Sequence, residues 1–425
     1  MNKTARITLT VILSIIEYIL IYCFNTFDFL ISIFDSILLL MGIEGSFSSL
    51  FSNITSYFAP APIIYLLNYY IFSTLIYKLA LLVWHITGHY NYLKKRYKKV
   101  IESCINWLID IDIHWGVNAK STEPQNANTC EVLIALRESG LFKNKSEIYR
   151  NALNKLLENV TPDGLPSKSL NRSTVVCTSM MLYLVSLEKN DGFSRIENYE
   201  KYNNIASLLW DIRNENLGWG VYMEKKDIKY CSFANTSWAL QSLNMYDVSQ
   251  TQEYINFLKM IFQRSHNGKF SFSPNEGANL VTTAKYLMLF YSLDQQKQNI
   301  IKEVYDYKSA IKFVYDQFVK QNIQKETETL YGININQTGA KKVPWNHISA
   351  GYAIAALVLA YKNKDLNFIK ANGLFKHING ILKDNIKYTN ENKCYYTPAG
   401  MPCRDNVAYT FPTAYLIYGL SRFID

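Results

Sequence analysis

A single threonine frame recurs along the chain from residue 129 onward, and it limits what the chain can fold into. Thr236 is followed by Leu240 and Leu243, one stripe of a 3.6-residue helix. Thr129 with Leu133 and Leu136, Thr178 with Leu182 and Val185, Thr283 with Leu287 and Phe290, and Thr413 with Ile417 and Leu420 repeat the frame. Ala350, with Ile354 and Leu357, fills the remaining slot. The helices opened by these frames are apolar on nearly every face, as a helix packed on all sides must be. Each follows an outer helix, a turn and a rim loop; the fullest example runs from Ile205 through Gly218-Trp219-Gly220 to Leu243. Six such pairs could stack openly or close on themselves, and closure is favoured because no terminal pair carries a polar capping face. The expected fold is all-α: membrane-spanning N-terminal helices in residues 1–92, then an α/α toroid of six helix pairs in residues 93–425.

The membrane part of that expectation rests on residues 7–24 and 63–84, two apolar runs of roughly spanning length. No small-residue cleavage site follows the first, so it reads as a retained anchor rather than a signal peptide. Lys94, Lys95, Arg96, Lys98 and Lys99 follow the second run, and by the positive-inside tendency they keep the repeats in the cytoplasm. With Lys3 and Arg6 on the same side, the crossings number two or four. Glu17, Asp28 and Asp35 read either as residues reaching the interface or as the polar lining of a pore in a homo-oligomer. The expected location is the cell membrane with the toroid in the cytoplasm, and the expected partners are the lipid bilayer and further copies of the chain.

Composition adds limits. Hydrophobic residues make up 49% of the 425, including 32 Tyr and 22 Phe, which is ample for a core and argues against disorder. Seven cysteines are scattered without a CxxC pair, so neither a disulfide framework nor a zinc ribbon is indicated. A net charge of +9 spread over this length gives no duplex nucleic-acid footprint, though it admits an anionic small molecule or nucleotide.

The Trp-Gly turn, rim loop and Thr-(Ala/Ser)-x-x-Leu helix together resemble the prenyltransferase and squalene-cyclase repeat family over residues 100–425. Arg404-Asp405, Thr413-Ala414-Tyr415 and Tyr418-Gly419-Leu420-Ser421 are most similar to the last repeat of protein prenyltransferase β subunits. The resemblance implies the toroid but not the chemistry. Cyclases of this family protonate an alkene with clustered aspartates before the helix-opening Thr, since a strong acid needs neighbouring carboxylates to share its proton. Here those slots hold Gln125, Ala127 and Asn128 before Thr129, and Ser232, Ala234 and Asn235 before Thr236. The zinc-binding His of the prenyltransferases is replaced by Pro412. No catalytic residue, metal or cofactor is therefore assigned.

A binding role remains. Asn128 and Asn235 are expected as N-caps at one rim, joined there by Arg172, His347, Arg404, Asp405 and Tyr409 as candidate ligand contacts. Helix N-termini ringing that mouth favour an anion. The functional expectation is a non-catalytic toroid acting as the cytoplasmic ligand-sensing or assembly domain of an oligomeric membrane effector, with a channel as one form. The alternative is a membrane-bound enzyme acting on an isoprenoid or other lipid.

Overall fold

The computed structural model describes residues 90–111, 115, 124–142, 146–167, 170–191, 196, 198–224, 231–274, 276–321, 325–327, 344–346, 348–386 and 410–424. Two compact units divide the chain, Met1–Leu93 and Lys94–Asp425, and nearly all described residues belong to the second. In chain order its first helices are α1 (Tyr90–Ile111), α2 (Asn126–Ser139), α3 (Ser146–Glu158), α4 (Val175–Asp191), α5 (Tyr199–Asp211) and α6 (Phe233–Leu243). There follow α7 (Gln252–Gln263), α8 (Leu280–Ser292), α9 (Gln295–Lys302), α10 (Tyr307–Tyr315), α11 (Ile348–Lys362), α12 (Phe368–Ile386) and α13 (Thr410–Ile424). The strands are minimal: β1 (Pro166–Ser167) pairs antiparallel with β2 (Arg172–Ser173), and β3 (Lys325–Thr327) with β4 (Pro344–Asn346).

Burial sorts the helices into two kinds. α2, α6, α8 and α13 bury almost every residue, α6 all eleven of them. Others bury one stripe: Tyr149, Ala152, Leu153 and Leu156 on α3, and Tyr254, Phe257, Leu258, Ile261 and Phe262 on α7. That i, i+3, i+4, i+7 spacing belongs to a helix with one wet face. Packing runs α2 on α4, α4 on α6, α6 on α8, α8 on α11, α11 on α13, and α13 back on α2, so six inner helices form a closed ring. The amphipathic helices lie outside it: α3 rests on α2, α5 on α4 and α6, and α10 on α8 and α11.

The recurring threonine explains how each pair is held. Thr129, Thr178, Thr236, Thr283 and Thr413 each stand fourth in their inner helix. The Thr236 hydroxyl donates to Ser232 O (2.8 Å) and accepts from the backbone N–H of Trp219 (3.1 Å), which is the turn after the outer helix. Leu165 N–H donates in the same way to Thr178 Oγ1, and Phe270 N–H to Thr283 Oγ1, both at 3.0 Å. A buried backbone N–H left unpaired is costly, so in these three repeats one hydroxyl fixes turn to helix. Two glycines admit this contact. Gly164 (φ +108°) and Gly218 (φ +88°) sit in left-handed backbone, and a Cβ on either would overlap the Thr178 or Thr236 side chain. At α11 and α13 the device differs: with Ala350 in the threonine frame, Gly351 and Gly419 let the two backbones meet directly.

The fold class expected from the sequence is corrected in one respect. Among the described residues no helix is long and apolar enough to cross a membrane. The longest, α1 with 22 residues, carries Lys94, Lys95, Arg96, Lys98 and Lys99. Its apolar side chains Leu93, Tyr97, Val100, Ile101, Cys104 and Leu108 are buried against protein. The most apolar helices, such as α11 with 15 residues and α8 with 13, are short of the ~20 that a bilayer demands. Their hydrophobicity serves a ring that is packed on all sides. Residues 7–24 and 63–84, with Glu17, Asp28 and Asp35, lie outside the described residues.

Candidate ligand site inside the ring

Contacts between neighbouring inner helices join residues at equal depth, so the six run parallel with their N-termini at one mouth. One layer below that mouth, Glu131, Trp238, Lys285 and Tyr415 are each the sixth residue of their helix, and Tyr352 is the fifth of α11. Tyr415 Oη donates to Glu131 Oε1, linking α13 to α2. The Tyr352 and Tyr415 rings lie 4.6 Å apart, and Lys285 Nζ stands 4.6 Å over the Tyr352 ring. A carboxylate, two tyrosines and an ammonium thus follow one another around half the ring, on α2, α13, α11 and α8. Burial, followed by the Glu131 carboxylate, holds the Tyr415 hydroxyl well above the usual phenol range, so it stays a donor. Glu131, Lys285 and Tyr415 are intermediate in exposure, as are Glu138 and Arg422 further along.

A second polar layer lies about two turns further along the helices. Arg422 Nη2 pairs with Glu138 Oε1 at 2.8 Å, Tyr183 Oη donates to the same oxygen at 2.5 Å, and the Arg422 guanidinium lies 4.5 Å over the Tyr418 ring. Gln241 Nε2 then donates to Tyr418 Oη at 3.4 Å. Gln241 is on α6 and Tyr418 on α13, which are opposite members of the ring, so this bond crosses the axis. Desolvation and the Glu138 charge push the Tyr183 hydroxyl upward, keeping it protonated.

The residues expected from the sequence fare unevenly. Asn128 is buried at 1% exposure on the same face of α2 as Glu131, and its Oδ1 has no hydrogen-bond partner. Asn235 is buried too, but its Nδ2 donates to Gly220 O at 2.9 Å. Neither caps its helix. α2 begins after Gln125 and α6 after Ser232, whose hydroxyl accepts from Asn235 N–H. The helices start one turn earlier than the Asn-Thr pattern suggests, because the threonine must lie inside the first turn to reach both Ser232 O and Trp219 N–H. Arg172 stands apart on β2, largely exposed, pairing with Glu224 at 3.3 Å and stacking 4.5 Å over Tyr222. That pairing accounts for it. His347, Arg404, Asp405 and Tyr409 lie outside the described residues. Glu131 and Lys285 were missed, though each had a signal: a charge inside an otherwise apolar inner-helix frame, Cys130-Glu131-Val132 and Ala284-Lys285-Tyr286.

Chemically the upper layer offers a carboxylate, an unpartnered amide oxygen, an ammonium and an aromatic wall. It is equipped to hold a polar molecule. Among the described residues no group of three His, Cys, Asp or Glu side chains is placed to hold a metal ion. No known family model matches the chain, and no curated protein matches it.

Proposed function

We propose that the ring is a non-enzymatic ligand-sensing domain that takes a small molecule at its N-terminal mouth and passes its occupancy to an oligomeric assembly. The observation that carries this reading is the mouth layer itself: Glu131 and Lys285 are charged side chains set in otherwise apolar inner helices, each incompletely buried. Charged and aromatic groups gathered within an apolar ring are a composition that binding sites share. Occupancy could be transmitted because Glu131, Tyr415, Tyr352 and Lys285 belong to four different inner helices, so a molecule touching them changes how those helices pack. The prenyltransferase-like resemblance, without its acid and zinc residues, is in keeping with a fold retained for binding. We propose further that the chain acts at the cytoplasmic surface of a bilayer. Lys95, Lys98 and Lys99 are exposed on α1, where anionic headgroups attract basic side chains.

Native mass spectrometry of the purified full chain tests the sensing role, beside a melting-temperature screen against a metabolite library. A small molecule retained by the wild type and released by Glu131→Gln is the expected result. A chain that carries nothing and melts identically with every compound would remove the sensing role.

A further inference from the structure

Resting on the bilayer-surface part of that reading, we infer that the ring docks end-on. The end where the inner helices finish lies against anionic phospholipid headgroups, held by a basic patch that two distant chain segments assemble, and the mouth points away. The first segment is the start of α1. Lys94, Lys95, Arg96, Lys98 and Lys99 follow one another with no acid among them, and the first turn of the helix holds none either. Lys95, Lys98 and Lys99 are exposed, and among the described residues no ion pair neutralises them. Like charges three and four residues apart on a helix repel, as Lys95 does with Lys98 and Lys99. An anionic surface relieves that repulsion.

Ring contacts bring the second segment to the same end. The Tyr97 ring, inside the α1 cluster, lies edge-on to Phe423 at 5.0 Å; Phe375 lies 5.0 Å from Phe423, and Tyr361 5.6 Å from Phe375. Phe423 and Tyr361 are each the last residue but one of their helices, α13 and α11. These four rings set the start of α1 beside the ends of two inner helices and the first half of α12. Lys364, in the turn after α11, and Lys376, next to Phe375, are exposed there. Asp365, the acid adjoining Lys364, accepts from the Tyr291 hydroxyl at 2.9 Å.

Charge complementarity selects a polyanion, and two features favour lipid. All of these cations except Arg96 are lysines, compact point charges that suit headgroup phosphates and lack the bidentate fork with which arginine recognises nucleic acid. The apolar run 63–84 closely precedes Lys94 in the sequence. An anionic bilayer surface attracts each lysine brought near it.

Sedimentation of the purified full chain with vesicles is the test, using phosphatidylcholine alone and phosphatidylcholine mixed equally with phosphatidylglycerol, with duplex DNA titrated in parallel. Tighter binding to the anionic vesicles is expected, weakening as salt is raised. Lys364→Gln combined with Lys376→Gln should weaken it by at least about tenfold, as should Lys95→Gln combined with Lys98→Gln, because each removes two attractions to the surface. Amine labelling read by mass spectrometry supplies a measurement on the unmutated chain. Lys364 and Lys376 should lose reactivity on anionic vesicles, while Lys155, exposed near the end of α3 at the mouth side, keeps its own. Equal binding to both vesicles overturns the headgroup assignment, as does tight binding to duplex DNA in place of vesicles. Anionic selectivity that survives Lys364→Gln with Lys376→Gln, with both lysines still labelled in the wild type, overturns end-on docking and leaves the bilayer reading standing. If the chain sediments with neither vesicle, both fall.

Discussion

At the mouth of the ring the Glu131 carboxylate takes a hydrogen bond from Tyr415; two turns further on, Glu138 takes one from Tyr183 and pairs with Arg422. Both layers are built from an acid, tyrosines and a base on inner helices. They differ in where the base lies. Arg422 reaches its carboxylate directly, so the lower charges neutralise each other and the Gln241 to Tyr418 bond can cross the axis. Lys285 is three helices from Glu131 and rests on an aromatic face instead. The same residue types therefore make an ion pair between adjacent helices in one place and set an acid and a base on opposite helices in the other.

The largest expected effect breaks the lower layer. Glu138→Leu leaves Arg422 buried without its carboxylate, which costs about 3–5 kcal/mol of stability by the general behaviour of broken buried pairs. Urea unfolding would measure it, and a loss under about 1 kcal/mol would mean that the lower layer holds the ring no more than the mouth does. Next in size is the latch that both layers depend on. Thr236→Val strands the buried N–H of Trp219 and should cost about 1–3 kcal/mol. Thr129→Val should cost less, because among the described residues the Thr129 hydroxyl donates to a carbonyl, Trp115 O, at 3.5 Å, instead of accepting from a backbone N–H. Equal losses at the two positions would refute the latch as the source of the order.

The mouth should respond weakly. Glu131→Gln preserves an oxygen to accept from Tyr415 and should change stability by less than about 1 kcal/mol while abolishing ligand retention. A loss as large as that of Glu138→Leu would make the mouth a second structural layer.

The smallest effect is a pH dependence. Burial pushes the Cys177 thiol up to about 12, whereas in the unfolded chain it titrates in the ordinary thiol range. The unfolded state thus gives up its proton first as pH rises. Stability is unaffected below the ordinary thiol range and declines from there toward about 12. Melting temperatures between pH 8 and pH 10.5, expected from that window, should fall less steeply for Cys177→Ala than for the wild type. Parallel curves would show that the thiol is not held in its neutral form.

Much of the helical pattern was written in local spacing. The threonine frames at 129, 178, 236, 283 and 413 all lie in the first turn of an inner helix, and at 178, 236 and 283 the hydroxyl there accepts from an N–H of the preceding turn. The stripes on α3 and α7 were equally legible, since a 3.6-residue period is a property of neighbouring residues. Apolar character was a poorer guide. It suited a bilayer and a packed ring alike, and length together with the lysines of α1 decides against a crossing in the described part.

What the sequence by itself determined is therefore which segments are helices and which of them must be buried on all sides. Which polar residues meet was decided only by tertiary structure. Asn128 and Asn235 occupy the same place in their frames, yet Asn235 finds Gly220 O while the Asn128 oxygen finds no partner. Glu131 meets Tyr415 across 284 residues of chain, and Gln241 meets Tyr418 across 177. Pairings at such separations depend on ring closure, because it is the return of α13 onto α2 that brings the chain's last inner helix against its first.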